Sequence, residues 1–181
     1  MLEYIDEGHL YLYDGVIIPS VSQLIEKIFP NKYKGVPENI LNAKAKYGTE
    51  VHKLIEDLEN GKEIETNNYL IETSINQYIR LKYKNNIKVL EQEKIVCYKG
   101  LYAGRYDMVA SIDGKKCLCD IKTTAQLDKE YLSWQLSLYE LASGEKFDDL
   151  YAIWLPKKEL AQLVKIKRKS KKELLELIGG K

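Results

Sequence analysis

Two aspartates flank the strongest turn signal in the sequence. Asp107 precedes and Asp120 follows Asp113-Gly114, a dipeptide that favours a two-residue type I′ turn between antiparallel strands. Such a turn pairs Ile112 with Lys115, and counting outward from this pair predicts that Asp107 lies opposite Asp120. Carboxylates whose Cβ atoms are about 4.5–5.5 Å apart repel each other, so this pair requires a proton or a cation. A divalent metal ion meets the requirement, because hard cations prefer oxygen ligands.

A lysine belongs to the same predicted strand. Lys122 follows Asp120 by two residues and therefore shares its face of the strand. Beside a metal-binding carboxylate, a lysine can orient water or stabilise charge that develops on a phosphate. A four-residue loop would instead set Asp107 opposite Lys122 in an ordinary ion pair, or either aspartate could lie at a solvated strand end. The hairpin alone leaves these alternatives open.

Four short motifs form an ordered set that includes these residues. They are Gly48-Thr49-x-x-His52-x-x-x-Glu56, Gly104-Arg105-Tyr106-Asp107, Asp120-Ile121-Lys122 and Gln135-x-x-x-Tyr139. In this order the motifs resemble the RecB-like branch of the PD-(D/E)XK nuclease superfamily, which includes phage exonucleases. The resemblance covers about residues 47–142, and Pro19 to Leu24 is similar to a short segment often found early in the phage members.

The resemblance implies a metal site. Asp107 and Asp120 would be metal ligands together with the backbone carbonyl of Ile121, and His52 would supply a further ligand from a helix. Lys122 would position or activate the attacking water. One or two Mg²⁺ or Mn²⁺ ions fit such a site, and a histidine ligand is compatible with Mn²⁺ because imidazole suits softer metals than Mg²⁺. Without the other motifs, His52 is typical of a surface or core histidine.

Gln135 and Tyr139 are the helical members of the set. They stand four residues apart and so share one face of a predicted helix. The resemblance implies that they organise the site and contact the nucleic-acid backbone. Tyr139 stands between Leu138 and Leu141, so ordinary packing is the alternative for this residue. Glu56, one turn beyond His52, fits a solvated helix position as well as a partner of the site.

The implied activity is metal-dependent hydrolysis of phosphodiester bonds in single- or double-stranded DNA by an exonuclease. One alternative is a structure-selective or nicking endonuclease with the same core. Another is a catalytically silent module for nucleic-acid binding or assembly, although such a module has no need of opposed acids. The sequence contains no helicase motif, so we expect the domain to act alone, as a homo-oligomer or with a separate recombination protein.

Three cysteines bear on the cofactor. Some relatives hold an iron–sulfur cluster with four cysteines, whereas Cys97, Cys117 and Cys119 stand at other positions here, so no cluster is expected. Cys117 and Cys119 alternate along a predicted strand and should pack on one side as small hydrophobic residues.

Basic residues crowd one stretch near the C-terminus. Its members are Lys165, Lys167, Arg168, Lys169, Lys171 and Lys172. Alternation along a final strand would place Lys165, Lys167 and Lys169 on one face. We predict that Lys167, Lys169 and Lys171 bind DNA phosphates, because a polyanion approaching acidic residues needs nearby cations. A solvated face is the alternative.

The pattern of the chain predicts an α+β fold with a restriction-endonuclease-like core. In that core a central mixed sheet contains the antiparallel hairpin with the acids, and helices flank the sheet. Short strands are predicted within Leu2 to Pro19, then a helix capped by Ser20 and Gln23 that runs to about Phe29. A helix from Pro37, interrupted at Gly48, should continue as Thr49 to Asn60. The remaining predictions are helices at Asn68–Lys84, Asp128–Ala142 and Lys171–Ile178, and strands at Ile87–Cys97, Leu101–Ile112, Lys116–Lys122, Tyr151–Leu155 and Leu163–Ile166.

Length and composition limit the class of protein and the number of domains. The chain has 181 residues, of which 45% are hydrophobic and 30% charged, and these values are typical of one globular domain spanning residues 1–181. The net charge of +1 indicates no partner by itself. The N-terminus lacks an apolar leader segment, and no apolar run reaches the length of a membrane span, so we expect a cytoplasmic protein without a membrane partner.

Overall fold

A small antiparallel sheet begins the fold, as seen in a computed structural model that describes residues 1–179. It comprises β1 (Leu2–Ile5), β2 (Leu10–Tyr13) and β3 (Val16–Ile18). Asp14 and Gly15 both have positive φ, 50° and 79°, which is the conformation required at both centres of a type I′ turn. The predicted short strands in this segment are therefore confirmed.

The central sheet has five strands within residues 1–179, in the order β4-β5-β6-β7-β8. Their bounds are Ile87–Tyr98, Tyr102–Ile112, Lys115–Lys122, Asp149–Trp154 and Gln162–Ile166. Only the β6–β7 pair is parallel, and the other pairs are antiparallel. The predicted mixed sheet is thus confirmed, together with its antiparallel hairpin.

Helices pack on both faces of the central sheet. They are α1 (Val21–Glu26), α2 (Glu38–Glu59), α3 (Tyr69–Lys84), α4 (Lys129–Ser143) and α5 (Lys171–Ile178). Apolar residues of α2 and α3 bury one face of the sheet, and those of α1, α4 and α5 bury the other. Cys117 and Cys119 lie in the core under α2 and α3, as small hydrophobic residues do. No helix within residues 1–179 has an apolar stretch long enough to cross a membrane.

The helix caps follow the sequence closely. Ser20 Oγ accepts a hydrogen bond from the Gln23 backbone N–H at 3.2 Å, and Gln23 Oε1 accepts one from the Ser20 N–H at 2.8 Å. This is the predicted capping box, although α1 ends at Glu26 rather than near Phe29. A parallel bridge between Ser20 and Ala103 then fixes the start of α1 beside β5.

Two expectations about the elements were wrong. Gly48 does not interrupt a helix, because α2 is continuous from Glu38 to Glu59. Burial of Val51 and Ile55 outweighs the cost of about 1 kcal/mol that a glycine adds inside a helix. The last strand ends at Ile166, so Lys167 and Lys169 lie beyond it and share no strand face with Lys165. The pairing of β8 with β7 ends at Ile166, opposite Leu150.

Candidate metal centre

The β5–β6 hairpin positions the two predicted acids. Ile112 pairs with Lys115, and the turn residues Asp113 and Gly114 have φ values of 51° and 78°. The register continues outward to the pair Met108–Cys119. Asp107 and Asp120 are the next residues on the two strands, so the two-residue turn is confirmed. The four-residue loop, which would have put Asp107 opposite Lys122, is excluded.

Asp107 links the two strands at the point where their pairing ends. Its Oδ2 accepts a hydrogen bond of 2.7 Å from the backbone N–H of Ile121. Its Oδ1 lies 3.6 Å from Nδ1 of His52, on helix α2. The carboxylate is thus held by the sheet on one side and faces the helix with the other oxygen.

Asp120 is an almost completely buried acid. Its Oδ2 lies 2.6 Å from Lys122 Nζ, and only 2% of its side chain is exposed. Burial raises the pKa of Asp120 to about 6, although the Lys122 ammonium opposes the shift, and Asp107 adds to it. Burial lowers the pKa of Lys122, but Asp120 and Asp107 outweigh this effect and raise it above its usual value. Lys122 is therefore a fixed cation at neutral pH.

His52 reaches the same point from α2. Its Nε2 lies 3.0 Å from the carbonyl oxygen of Ile121. Because a carbonyl only accepts, Nε2 donates this hydrogen bond in the absence of metal. The nitrogen and the carbonyl oxygen are both predicted metal ligands, and the structure brings them together.

Glu93 is a further acid at this site that the sequence analysis missed. The β4–β5 pairs Gln92–Met108 and Lys94–Tyr106 flank it, so Glu93 lies opposite Asp107. One ligand atom each from Glu93, Asp107 and His52 lie within 4.8 Å of one another. Burial and then Asp107 raise the pKa of Glu93 to about 7, against the effect of Arg105, whose Nε is 2.9 Å from Glu93 Oε2.

Gln135 and Tyr139 lie side by side on α4, as their spacing predicts. Gln135 Nε2 is 3.5 Å from the Tyr139 hydroxyl, and both residues are buried. Burial raises the pKa of Tyr139 well above its usual value, so the hydroxyl keeps its proton. Gln135 Oε1 is buried without a hydrogen-bond partner in residues 1–179, which leaves an acceptor for a bound molecule. The ring of Tyr139 covers Gly104, where an added Cβ would lie only 2.6 Å from Cε1.

A cleft of about 750 Å³ opens beside these residues. Its lining includes Ser22, Lys32, His52, Lys122, Tyr131 and Gln135. The ammonium of Lys32 lies 3.3 Å from the centre of the Tyr131 ring and 3.0 Å from Asp128 Oδ2, which fixes the loop before α2 against α4. A volume of this size falls within the range of about 300–1,000 Å³ that is usual for ligand sites.

The basic C-terminal stretch does not belong to this cleft as residues 1–179 form it. None of Lys167, Lys169 and Lys171 lines it. Several cations of the stretch are instead paired with acids: Lys165 with Asp149, Arg168 with Glu140, Lys169 with Glu130 and Lys172 with Glu176. The predicted phosphate-binding role of Lys167, Lys169 and Lys171 remains a prediction about a surface outside the cleft.

The donor atoms suit a hard divalent cation. Carboxylate oxygens of Asp107 and Asp120, the carbonyl of Ile121 and one imidazole nitrogen of His52 are ligands that Mg²⁺ and Mn²⁺ accept. The raised pKa of the buried Asp120 shows that its negative charge is incompletely balanced by Lys122. An additional cation would relieve this imbalance, so the residues fit the metal that the motifs imply.

No protein-family model and no curated protein matches this chain. Among solved structures, the crystal structure of SSO0001 is similar with a TM-score of 0.51 and 15% sequence identity. The match covers 88% of this chain and 72% of that chain. At this identity the similarity concerns the fold alone, which is a mixed α+β arrangement of two sheets flanked by helices.

Proposed function

We propose that this protein is a metal-dependent DNA nuclease with a RecB-like PD-(D/E)XK core that acts as an exonuclease. The observation that carries the proposal is the buried Asp120 in contact with Lys122, 2.6 Å away, at the end of the hairpin that also presents Asp107. This pair joins His52 and the Ile121 carbonyl at one point of an open cleft. A protein that used these residues only for packing would have no need of a buried carboxylate there.

His52, Asp107, Asp120 and the Ile121 carbonyl would hold Mg²⁺ or Mn²⁺. When bound, the metal would supply a water molecule of lowered pKa and would neutralise charge on the phosphate.

The chain itself supplies a fixed cation. Asp120 and Asp107 raise the pKa of Lys122 against the effect of burial, so this residue is an ammonium cation in the metal-free protein. It can attract a phosphate oxygen and stabilise the negative charge that grows there during hydrolysis. Asp120 holds the ammonium in place. Gln135 lines the cleft along which the DNA backbone would lie, and Tyr139 lies beside Gln135.

A structure-selective or nicking endonuclease remains the alternative, since an open cleft admits DNA without requiring an end. A catalytically silent binding module is the other alternative. In each case DNA, single- or double-stranded, is the proposed partner, and the protein would act in the cytoplasm alone, as a homo-oligomer or with a recombination protein.

The deciding experiment uses end-labelled linear DNA and covalently closed circular DNA, each single- and double-stranded, with Mg²⁺, Mn²⁺ or a chelator. An exonuclease releases mononucleotides or short products from linear DNA and leaves circles intact. Cleavage of circles would favour the endonuclease. If the wild-type protein shows no more metal-dependent cleavage than Asp120→Asn, the nuclease proposal fails.

A further inference from the structure

We propose that the ring of Tyr33 stacks on a base of single-stranded DNA in the cleft, so that the protein selects single strands over duplexes. Tyr33 belongs to none of the four motifs. The inference rests on the proposed function, because it names the substrate of the same site and a residue that recognises it.

Tyr33 differs from the other exposed tyrosines of residues 1–179 in its position. The side chains of Tyr13, Tyr33, Tyr69 and Tyr83 are all exposed, and Tyr33 is 59% exposed. Of these four, Tyr33 alone lines the cleft. An aromatic face that is open to a ligand cleft suits stacking on a base, because every base has a π-face and stacking needs no particular sequence.

The loop that presents Tyr33 is held against helix α4. The ammonium of Lys32 lies 3.3 Å from the centre of the Tyr131 ring, and the ring of Phe29 lies 5.9 Å from the same ring. The backbone N–H of Val36 donates a hydrogen bond of 3.1 Å to the Tyr33 carbonyl. A ring on a loop that is already ordered loses less conformational freedom when it binds a base.

Tyr131 links Tyr33 to the proposed catalytic centre. Burial raises the pKa of Tyr131, Lys122 lowers it, and Tyr33 raises it. Both residues therefore act on the same hydroxyl, and all three line the cleft. A base on Tyr33 would accordingly lie near the phosphate that Lys122 attracts.

The size of the cleft suits one strand. Its volume is about 750 Å³, which is that of a small-molecule site. A sphere of this volume is roughly 11 Å across, whereas the major groove of B-DNA alone is about 12 Å wide. The cleft can therefore take a nucleotide or two of a single strand, but a base pair with both of its backbones does not fit.

A separate observation in the same cleft points to a ligand with hydrogen-bond donors. Gln135 lines the cleft with 8% of its surface exposed, and its Oε1 is buried without a hydrogen-bond partner among residues 1–179. Such an acceptor costs free energy unless a ligand or water satisfies it. Phosphate oxygens of a diester only accept hydrogen bonds, whereas the amino groups of adenine, cytosine and guanine donate them. An unpaired base in the cleft would supply the missing donor.

Fluorescence anisotropy with a labelled mixed-sequence oligonucleotide tests the inference, in chelator so that the strand stays intact. Wild type should bind the single strand several-fold more tightly than the duplex of the same sequence. Tyr33→Ala should weaken single-strand binding by about 5- to 150-fold, the usual effect of losing one aromatic stacking contact, and should affect duplex binding far less. Tyr33→Trp keeps an aromatic face and should retain the wild-type preference.

An abasic strand of the same length separates stacking from attraction to phosphates, because it has the same backbone charge without bases. Wild type should bind it more weakly than the normal strand, and Tyr33→Ala should show a smaller difference between the two. Tyr83→Ala is the matched control, since Tyr83 is 87% exposed but lies outside the cleft lining. Equal single-strand affinity in Tyr33→Ala and wild type, or equal affinity of wild type for the normal and abasic strands, would overturn the inference.

Cleavage of DNA by the wild type with Mg²⁺ or Mn²⁺ is measured separately. A protein that cleaves DNA but binds single strands independently of Tyr33 refutes only the stacking role. A protein whose single-strand binding depends on Tyr33 but that does not cleave with either metal refutes the proposed nuclease function and leaves the base-binding role intact.

Discussion

Lys122 Nζ lies 2.6 Å from Oδ2 of Asp120, and the two side chains differ greatly in their access to solvent. Asp120 exposes 2% of its side chain, whereas Lys122 exposes 24%. The two residues should therefore respond differently to removal of the partner, because an uncompensated charge costs more where water cannot reach it.

Lys122→Ala should lower the free energy of unfolding of the metal-free protein at pH 7 by about 3 kcal/mol, because it leaves a buried carboxylate unpaired. Asp120→Asn should not cause such a loss, since Lys122 keeps 24% of its side chain exposed and the substitution removes the cost of burying the carboxylate charge. Both variants should lose cleavage. Urea unfolding in the presence of a chelator measures the difference, and equal stabilities of the two variants would contradict the asymmetry.

The pH dependence of the free energy of unfolding should reflect the raised pKa values of Asp120 and Glu93. The pKa of Asp120 is raised from 3.8 to about 6 and that of Glu93 from 4.5 to about 7. The folded protein therefore binds more protons than the unfolded chain between about pH 4 and 7. The stabilisation that these two protonated acids contribute is complete at low pH and is lost as pH rises through that window.

Other carboxylates, such as Asp149 beside Lys165, have lowered pKa values and act in the opposite direction. The test is therefore the difference in the free energy of unfolding between each variant and the wild type. In chelator, the stability that Asp120→Asn and Glu93→Gln gain over wild type should grow from pH 4 to pH 8, by on the order of 2 kcal/mol. A difference that is constant with pH would mean that these acids titrate normally in the fold.

His52→Ala should reduce activity mainly by weakening metal binding. Nε2 of His52 lies 3.0 Å from the Ile121 carbonyl, so loss of the imidazole removes one of several neighbouring metal ligands of the proposed centre. Excess Mn²⁺ should then restore part of the activity. Activity measured over a range of Mn²⁺ concentrations provides the check. An unchanged metal dependence would make His52 a structural residue.

Two glycines should respond in opposite ways to alanine. At Gly104 a Cβ would meet Tyr139 Cε1 at 2.6 Å and Val21 Cγ2 at 2.9 Å, so Gly104→Ala should destabilise the protein by about 1–3 kcal/mol. At Gly48 the nearest atom would be Thr123 Oγ1 at 3.5 Å, an ordinary contact. Gly48→Ala should therefore stabilise α2 by up to about 1 kcal/mol. Thermal unfolding of both variants measures the sign of each change in stability.

The basic C-terminal stretch can be tested against its own ion pairs. No ion pair of Lys167 or Lys171 is formed within residues 1–179, whereas Lys165 contacts Asp149 at 2.5 Å. If Lys167 and Lys171 bind phosphates, replacing both with Gln should make DNA affinity less dependent on salt. The slope of log affinity against log salt concentration should become less negative by about one unit per lost contact. Lys165→Gln is the control. The same slope in the double variant and wild type would make the stretch a solvated surface.

The Asp113-Gly114 turn explains why much of the centre was predictable. A two-residue turn fixes the register of both strands, so local residue types determined where Asp107 and Asp120 lie. Glu93 was missed because the length of the β4–β5 turn was not predicted. This turn leaves three residues between the paired Tyr98 and Tyr102. Counting outward from a three-residue turn places Glu93 opposite Asp107.

Tertiary packing decided the other departures from prediction. The helix around Gly48 is held by burial that single-residue propensities do not contain. The end of β8 is determined by where its partner strand β7 begins, at Asp149. The ion pairs of Arg168 and Lys169 depend on acids of α4 that are distant in sequence. Basic residues for which the sequence predicted no acidic partner are therefore partly neutralised in the fold.

The hydrogen bond between His52 and Ile121 joins positions that are 69 residues apart in the chain. Closing so large a loop has an entropic cost that local structure does not recover, so contacts of this kind form slowly during folding. Helix α2 and the β5–β6 hairpin can each take shape locally, but the centre exists only once the helix has docked on the sheet. If the proposed centre binds metal, the appearance of metal affinity during refolding would mark the docking of these two layers.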